Sequence, residues 1–148
     1  MKRKYTFLYS VLLAMTVLAA GCKKTVKPVS ERIAKTWTAE SVKEGSATVY
    51  TRGGSGNSQP GYADFRLILV AGGTATLIDR DKTSSTGSWE VVGDNKLSLK
   101  GLTPQPTGTG GIIEFNIDSI DDAKLILTRT AGSTKTGGTI NTYTLTNP

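Results

Sequence analysis

From residue 36 onward, apolar side chains recur at every second position, and no other feature limits the fold so tightly. Phe65, Leu67 and Leu69 alternate in this way, as do Ala75 and Leu77, Trp89 and Val91, Leu97 and Leu99, Ile113, Phe115 and Ile117, Leu125 and Leu127, and Tyr143 and Leu145. A strand turns successive side chains to opposite faces, so each run reads as a strand with one buried face. No segment of this body holds a helical period. Only residues 29–35 (VSERIAK), just ahead of Trp37, suit a short helical turn, with Ser30 as its cap.

The breaker residues support the same division. Pro28, Pro60, Pro104, Pro106 and Pro148 all fall outside the apolar runs, as ladder-bonded strands require. Gly72-Gly73 and Gly93-Asp94-Asn95 lie between runs and suit tight hairpins. Gly45 sits inside the first run. If it ends a strand there are nine strands; if it marks a bulge in one strand over residues 36–51 there are eight, and the expectation is eight. The connections then alternate. Residues 52–61, 80–86, 102–111 and 131–138 are long and rich in Gly, Ser and Thr, whereas 71–73, 93–95 and 118–123 are short. In an up-and-down meander this places four long loops at one end and tight turns at the other.

The first 21 residues read differently. MKRK is a basic start, the next 16 residues are an apolar run, and Ala19, Ala20 and Gly21 are the small residues a signal peptidase needs. The run falls short of the roughly 20 apolar residues of a membrane span. Leu18-Ala19-Ala20-Gly21-Cys22 resembles the lipobox of bacterial lipoproteins, with Ala19 where leucine is commonest. The resemblance implies that Cys22 becomes residue one after cleavage and is acylated, tying the chain to a membrane. Cys22 is the only cysteine, so no disulfide within the chain competes for it. Residues 1–21 are thus expected to be a signal peptide, 22–35 a basic tether and 36–148 the folded domain. Lys23-Lys24-Thr25 lacks the acidic residues that direct some lipoproteins to the cell surface, so the expected location is the outer membrane, facing the periplasm.

The formal charge of +6 divides along the same boundaries. The signal carries Lys2, Arg3 and Lys4, and the tether carries Lys23, Lys24, Lys27, Arg32 and Lys35 against Glu31. Residues 36–148 hold ten cations and eleven acids, a net −1. Nucleic-acid binding needs many cations on one folded face and is excluded on that count. The tether lysines suit anionic lipid headgroups instead.

The body contains no histidine. That removes serine or cysteine triads built on histidine, the usual zinc sets and the commonest general base, so the domain is expected to be non-catalytic and to hold neither metal nor cofactor. Asp79 with Asp81, and Asp118 with Asp121 and Asp122, read as turn residues; the latter group lacks EF-hand spacing.

The whole body also carries a family resemblance. IAKTWTAESV is similar to the Leu-x-Gly-Thr-Trp opening of lipocalin-like lipoproteins, with Lys35 where that family has glycine. GGTATL is similar to their Asp-Gly-Thr hairpin, and TGSWEVVGDNKLSL to their Gly-Thr-Trp hairpin. The resemblance implies an all-β, eight-stranded up-and-down barrel whose first tryptophan, Trp37, closes the floor; the alternative is a two-sheet β-sandwich. It also implies a mouth at the long-loop end. Tyr50, Tyr62 and Trp89, with Arg52 and Arg80, are the expected mouth or ligand-lining residues. The long loops carry Arg52, Arg80, Lys82 and Lys135 against Asp81, a bias that would steer an anion toward the mouth. Two functions follow: a binding module for a small apolar or acidic ligand, or a filled barrel that docks to another envelope component, through its loops or through an outer face bearing Ile68, Ile78, Ile112 and Ile126.

Overall fold

The computed structural model describes residues 26–148; Cys22 and the signal lie outside the described residues. A short helix, α1 (Val29–Ile33), precedes nine strands: β1 (Thr36–Glu44), β2 (Ala47–Thr51), β3 (Arg66–Leu69), β4 (Thr74–Ile78), β5 (Ser84–Val92), β6 (Lys96–Thr103), β7 (Ile113–Ile120), β8 (Lys124–Arg129) and β9 (Asn141–Thr146). Short 3-10 turns cover Pro60–Asp64 and Thr134–Thr136. Neighbouring strands pair antiparallel in chain order from β3 to β9, and β9 returns to pair with β1. The sheet therefore closes into a barrel, and the sandwich alternative falls.

The barrel has eight lanes, because β2 and β3 share one. On one edge β1 pairs with β9 from Thr38 to Glu44; on the other, Thr36–Thr38 pair with β3 and Ser41–Glu44 pair with β2. Gly45 is thus a turn and not a bulge: its φ of 62° lets the chain reverse through Ser46, so that Glu44 faces Ala47. The bulge falls at Glu40, which is skipped between the Ala39 and Ser41 pairings with β9. One extra residue flips the side-chain parity. Trp37 and Ala39 point inward before it and Val42 after it, all three buried.

Similar irregularities occur where β6 passes Gly87 and where β7 passes Asp118. They turn Leu102 inward after Leu97 and Leu99, and Ile120 after Ile117. Gly87 lies inside β5, where a Cβ would come within 2.3 Å of the Lys100 carbonyl oxygen. The Ser- and Thr-rich segment around it is strand, although its composition reads as loop, so β5 begins earlier than expected.

Helix α1 belongs to the domain rather than to a tether. Ser30 lies within the helix; Pro28 takes the cap position and no side chain caps the end. Ile33 is fully buried, and its carbonyl accepts a 2.8 Å hydrogen bond from the indole nitrogen of Trp37. Lys35, at the position where the resemblance places glycine, swings outward. Its Nζ donates to the Asp122 carbonyl at 2.6 Å and stands 5.6 Å from the Trp37 ring centre, which stays buried. Arg32 donates to the Ile120 carbonyl, fastening the helix to the β7–β8 turn. The folded domain therefore starts at about residue 29, seven residues before the expected boundary.

If α1 is part of the core, Ile33→Ala should lower unfolding stability by about 2–5 kcal/mol, as for a buried large-to-small change. Urea denaturation checks this; a change within about 0.5 kcal/mol, the range of an exposed position, would return the helix to the tether.

Candidate functional site

The parity of the meander brings the connections after β1, β4, β6 and β8 to one end, the mouth, and the turns after β3, β5 and β7 to the other, the floor. Five aromatic rings occupy the upper lumen. Phe65 and Tyr143 stack at 5.0 Å, Phe115 meets Tyr143 edge-on at 6.0 Å, and Tyr62 lies 6.2–6.4 Å from Tyr143, Tyr50 and Phe65. Each such pair contributes about 0.5–1.5 kcal/mol beyond its burial. Pro106, in the β6–β7 connection, is buried above them. Between these rings and Pro106, Ser133 and Lys135 remains about 10 Å³ open to the centre of a water-sized sphere, room for about one water molecule. The interior is filled.

Tyr50 and Tyr62 stand at the mouth end, where they plug it and do not line an open pocket. The Tyr62 hydroxyl donates to Glu44 Oε1 at 2.9 Å. Burial, then the neighbouring Tyr143 and the bond to Glu44, push its pKa well above the ordinary phenol value, so it holds its proton. Burial raises Tyr143 likewise.

Arg80 also lies at the mouth, and its charge is engaged. Nη1 approaches Glu44 Oε1 at 3.3 Å, Nη2 donates to the Lys135 carbonyl at 2.6 Å, and the guanidinium carbon is 5.7 Å from the Tyr62 ring centre. Lys135 bridges Asp79 at 3.0 Å and Asp81 at 2.7 Å. Burial alone would lower its pKa, but its bonds to the two carboxylates outweigh that and raise it. Lys82 stands 3.5 Å from Asp64. The expected surplus of positive charge at the mouth is thus matched by Glu44, Asp79, Asp81 and Asp64.

Two expected site residues lie elsewhere. Arg52 runs along the outer wall of β1, where β2 has departed and β3 has not begun. Its Nε and Nη2 donate to the Ala39 carbonyl at 3.1 and 2.7 Å, Nη2 reaches Thr38 Oγ1 at 2.5 Å, and its backbone N–H donates to the Glu40 carbonyl at 2.7 Å. Arg52 thereby replaces a missing strand partner. Trp89 is at the floor, because β5 starts earlier and carries the residue past the end of β4. Its indole nitrogen donates to the Val70 carbonyl at 2.9 Å, and its backbone N–H to Gly73 at 2.7 Å. Sequence reasoning also missed the floor as a surface with shape. There α1 is flanked by one cleft of about 500 Å³, against Ala71, Trp89 and Val91, and by another of about 580 Å³, against Val26, Ile120 and Asp122. The helical turn ahead of Trp37 was the available signal.

Among the described residues no group of three or more acidic, histidine or cysteine side chains is placed to share a metal ion. The four outer isoleucines do not form one patch. Ile68 and Ile78 sit diagonally on β3 and β4, Ile126 is across the barrel on β8, and only Ile112 is largely exposed.

Bonded across the mouth through Lys135, Asp79 and Asp81 form a latch, and Asp81 gives it a pH signature. Hydrogen bonding to Lys135, opposed by some burial and helped by the Thr83 N–H, holds its carboxyl at about 2. Because the folded pKa lies below the unfolded one, the carboxylate stabilises the fold above about pH 4. That contribution is lost as pH falls through about 2. With Asp81 48% exposed, it amounts to less than about 1 kcal/mol. The stability gap between the parent chain and Asp81→Asn should therefore shrink between pH 5 and pH 2.5 in urea titrations; a gap independent of pH would contradict the latch.

No protein-family model matches the chain, and neither does any curated protein sequence. Among solved structures it is similar to a lipocalin-like protein from Bacteroides uniformis, with a TM-score of 0.52 and 12% identity over 79% of this chain and 99% of that one. An uncharacterized protein from Bacteroides eggerthii aligns with a TM-score of 0.49 and 11% identity over 78% and 98%. The first likeness joins the closed meander, the buried first tryptophan and the long loops gathered at one end: the domain has the lipocalin-like β-barrel fold.

Proposed function

We propose that this chain is an exported envelope protein, tied to the outer membrane by lipid on Cys22 and facing the periplasm, whose barrel is a solid, non-catalytic interaction module and not a lumenal carrier. The filled interior is the observation that carries this choice. A drug-sized ligand needs a cleft of about 300–1,000 Å³, and the lumen retains about 10 Å³. An acidic ligand at the mouth would also have to displace carboxylates already bonded to Arg80 and Lys135. The lipobox-like segment supports the anchor, and the lack of histidine supports the non-catalytic reading. Two or three acyl chains on one cysteine suffice for stable attachment, so no membrane-crossing segment is needed.

Native mass spectrometry of the protein purified from its host tests the solid-barrel reading. The bare, acylated chain is the expected species; a small apolar or acidic molecule retained stoichiometrically in repeated preparations would restore the carrier. In the same host, Cys22→Ser should move the protein from the detergent-extracted fraction to the soluble one. Continued retention in membranes would remove the lipid anchor from the account.

A further inference from the structure

The floor carries a concavity on each side of α1, the first element of the described residues. Its rim is apolar in a way the barrel wall is not. Val26 is 76% exposed, Val70 51% and Val92 49%, and half-buried Trp89, Val91 and Ile120 pack against the core at the same end. Trp89 stands at the edge with its indole N–H tied to Val70. An aromatic ring with an apolar body and a satisfied polar handle suits the boundary between headgroups and acyl chains. The clefts are lined by three cations and four acids, a net charge of −1. Lys27 and Glu31 border both clefts, Glu90 borders one and Asp121 and Asp122 the other, while Arg32 and Lys35 bond carbonyls of the β7–β8 turn.

We infer that this floor is a membrane seat, in which Val26, Val70, Trp89, Val91 and Val92 rest in the uncharged interface of the bilayer that holds Cys22. The inference rests on the lipid anchor proposed above. Folding of α1 onto the barrel shortens the free chain between Cys22 and the domain. Fourteen free residues would reach about 46 Å, whereas the seven from Cys22 to Pro28 reach at most about 23 Å. Val26, the first described residue, lies at the floor, so an anchor at Cys22 draws toward the bilayer the end with exposed valines and Trp89. Lys27 sits on the rim of both clefts, where its stem can lie along apolar surface while its ammonium stays in the headgroup layer.

The chain holds two tryptophans, one fully buried and one at the seat, which makes the inference measurable. The acylated protein is reconstituted into phosphatidylcholine vesicles with or without bromine on the acyl chains. A seat about 5–10 Å deep should cost Trp89 about half its emission in brominated vesicles, and Trp89→Phe should leave a Trp37 signal changed little by bromine. Val70→Ser with Val92→Ser should reduce the quenching without preventing flotation with the vesicles. Protein that floats with full, unquenched Trp89 emission overturns the seat and leaves the anchor standing. Protein that fails to float overturns both. If soluble Cys22→Ser protein instead blue-shifts its Trp89 emission with concentration in the absence of lipid, the surface belongs to a second copy of the chain and the seat is overturned.

Discussion

The hydrogen-bond accounting of β1 governs this molecule. One edge of β1 is bonded along β9, which closes the ring. The other is divided between β3 near the floor and β2 near the mouth, with Arg52 filling the interval. An open sheet of this length would leave two rows of unpaired backbone groups, a template for association with other chains. Closure removes both rows and simultaneously decides which side chains face one another inside. The aromatic cluster of Tyr50, Tyr62, Phe65, Phe115 and Tyr143 exists because the lane shared by β2 and β3, the turn between those two strands, β7 and β9 are brought to a common axis, and it leaves the lumen without space for a ligand.

Much of this was legible as period two. The inward sets on β3, β4, β6, β7, β8 and β9 follow the alternation, and the glycine pairs at residues 72–73 and the Gly93 turn mark hairpins as expected. What escaped has a common cause in bulges and polar strands. Parity changes at Glu40, opposite Gly87 and at Asp118, so Val42, Leu102 and Ile120 lie out of phase with their own runs. Ser84–Gly87 is strand because Gly87 alone fits against Lys100 and because Ser85, though polar, is buried inward with its hydroxyl donating to the Pro104 carbonyl at 2.6 Å. Composition reads those residues as loop. That difference shifted the end of β5 and put Trp89 at the wrong end of the barrel.

The candidate site was legible to a lesser degree, since charge in a sequence has no partners until the loops meet. Arg80 and Lys135 are 55 residues apart yet bonded, and the acids that match them come from β1 and the β4–β5 turn. Sequence reasoning saw cations at the mouth; the fold converts them into a latch across three loops. The same folding step gives the floor its shape, because α1 packs between β5 and β7 and leaves a cleft on each side. The two ends are consequently unlike: a sealed, internally bonded mouth, and a floor with exposed valines and a cleft on each side of α1.

The solid interior is the claim on which the functional account turns, and an X-ray structure determined under xenon pressure tests it most directly. Xenon enters dry apolar cavities well above the size of one water molecule. The account predicts no xenon among Phe65, Phe115 and Tyr143. Ordered xenon between those rings would reveal an apolar chamber that opens in the barrel and would contradict it.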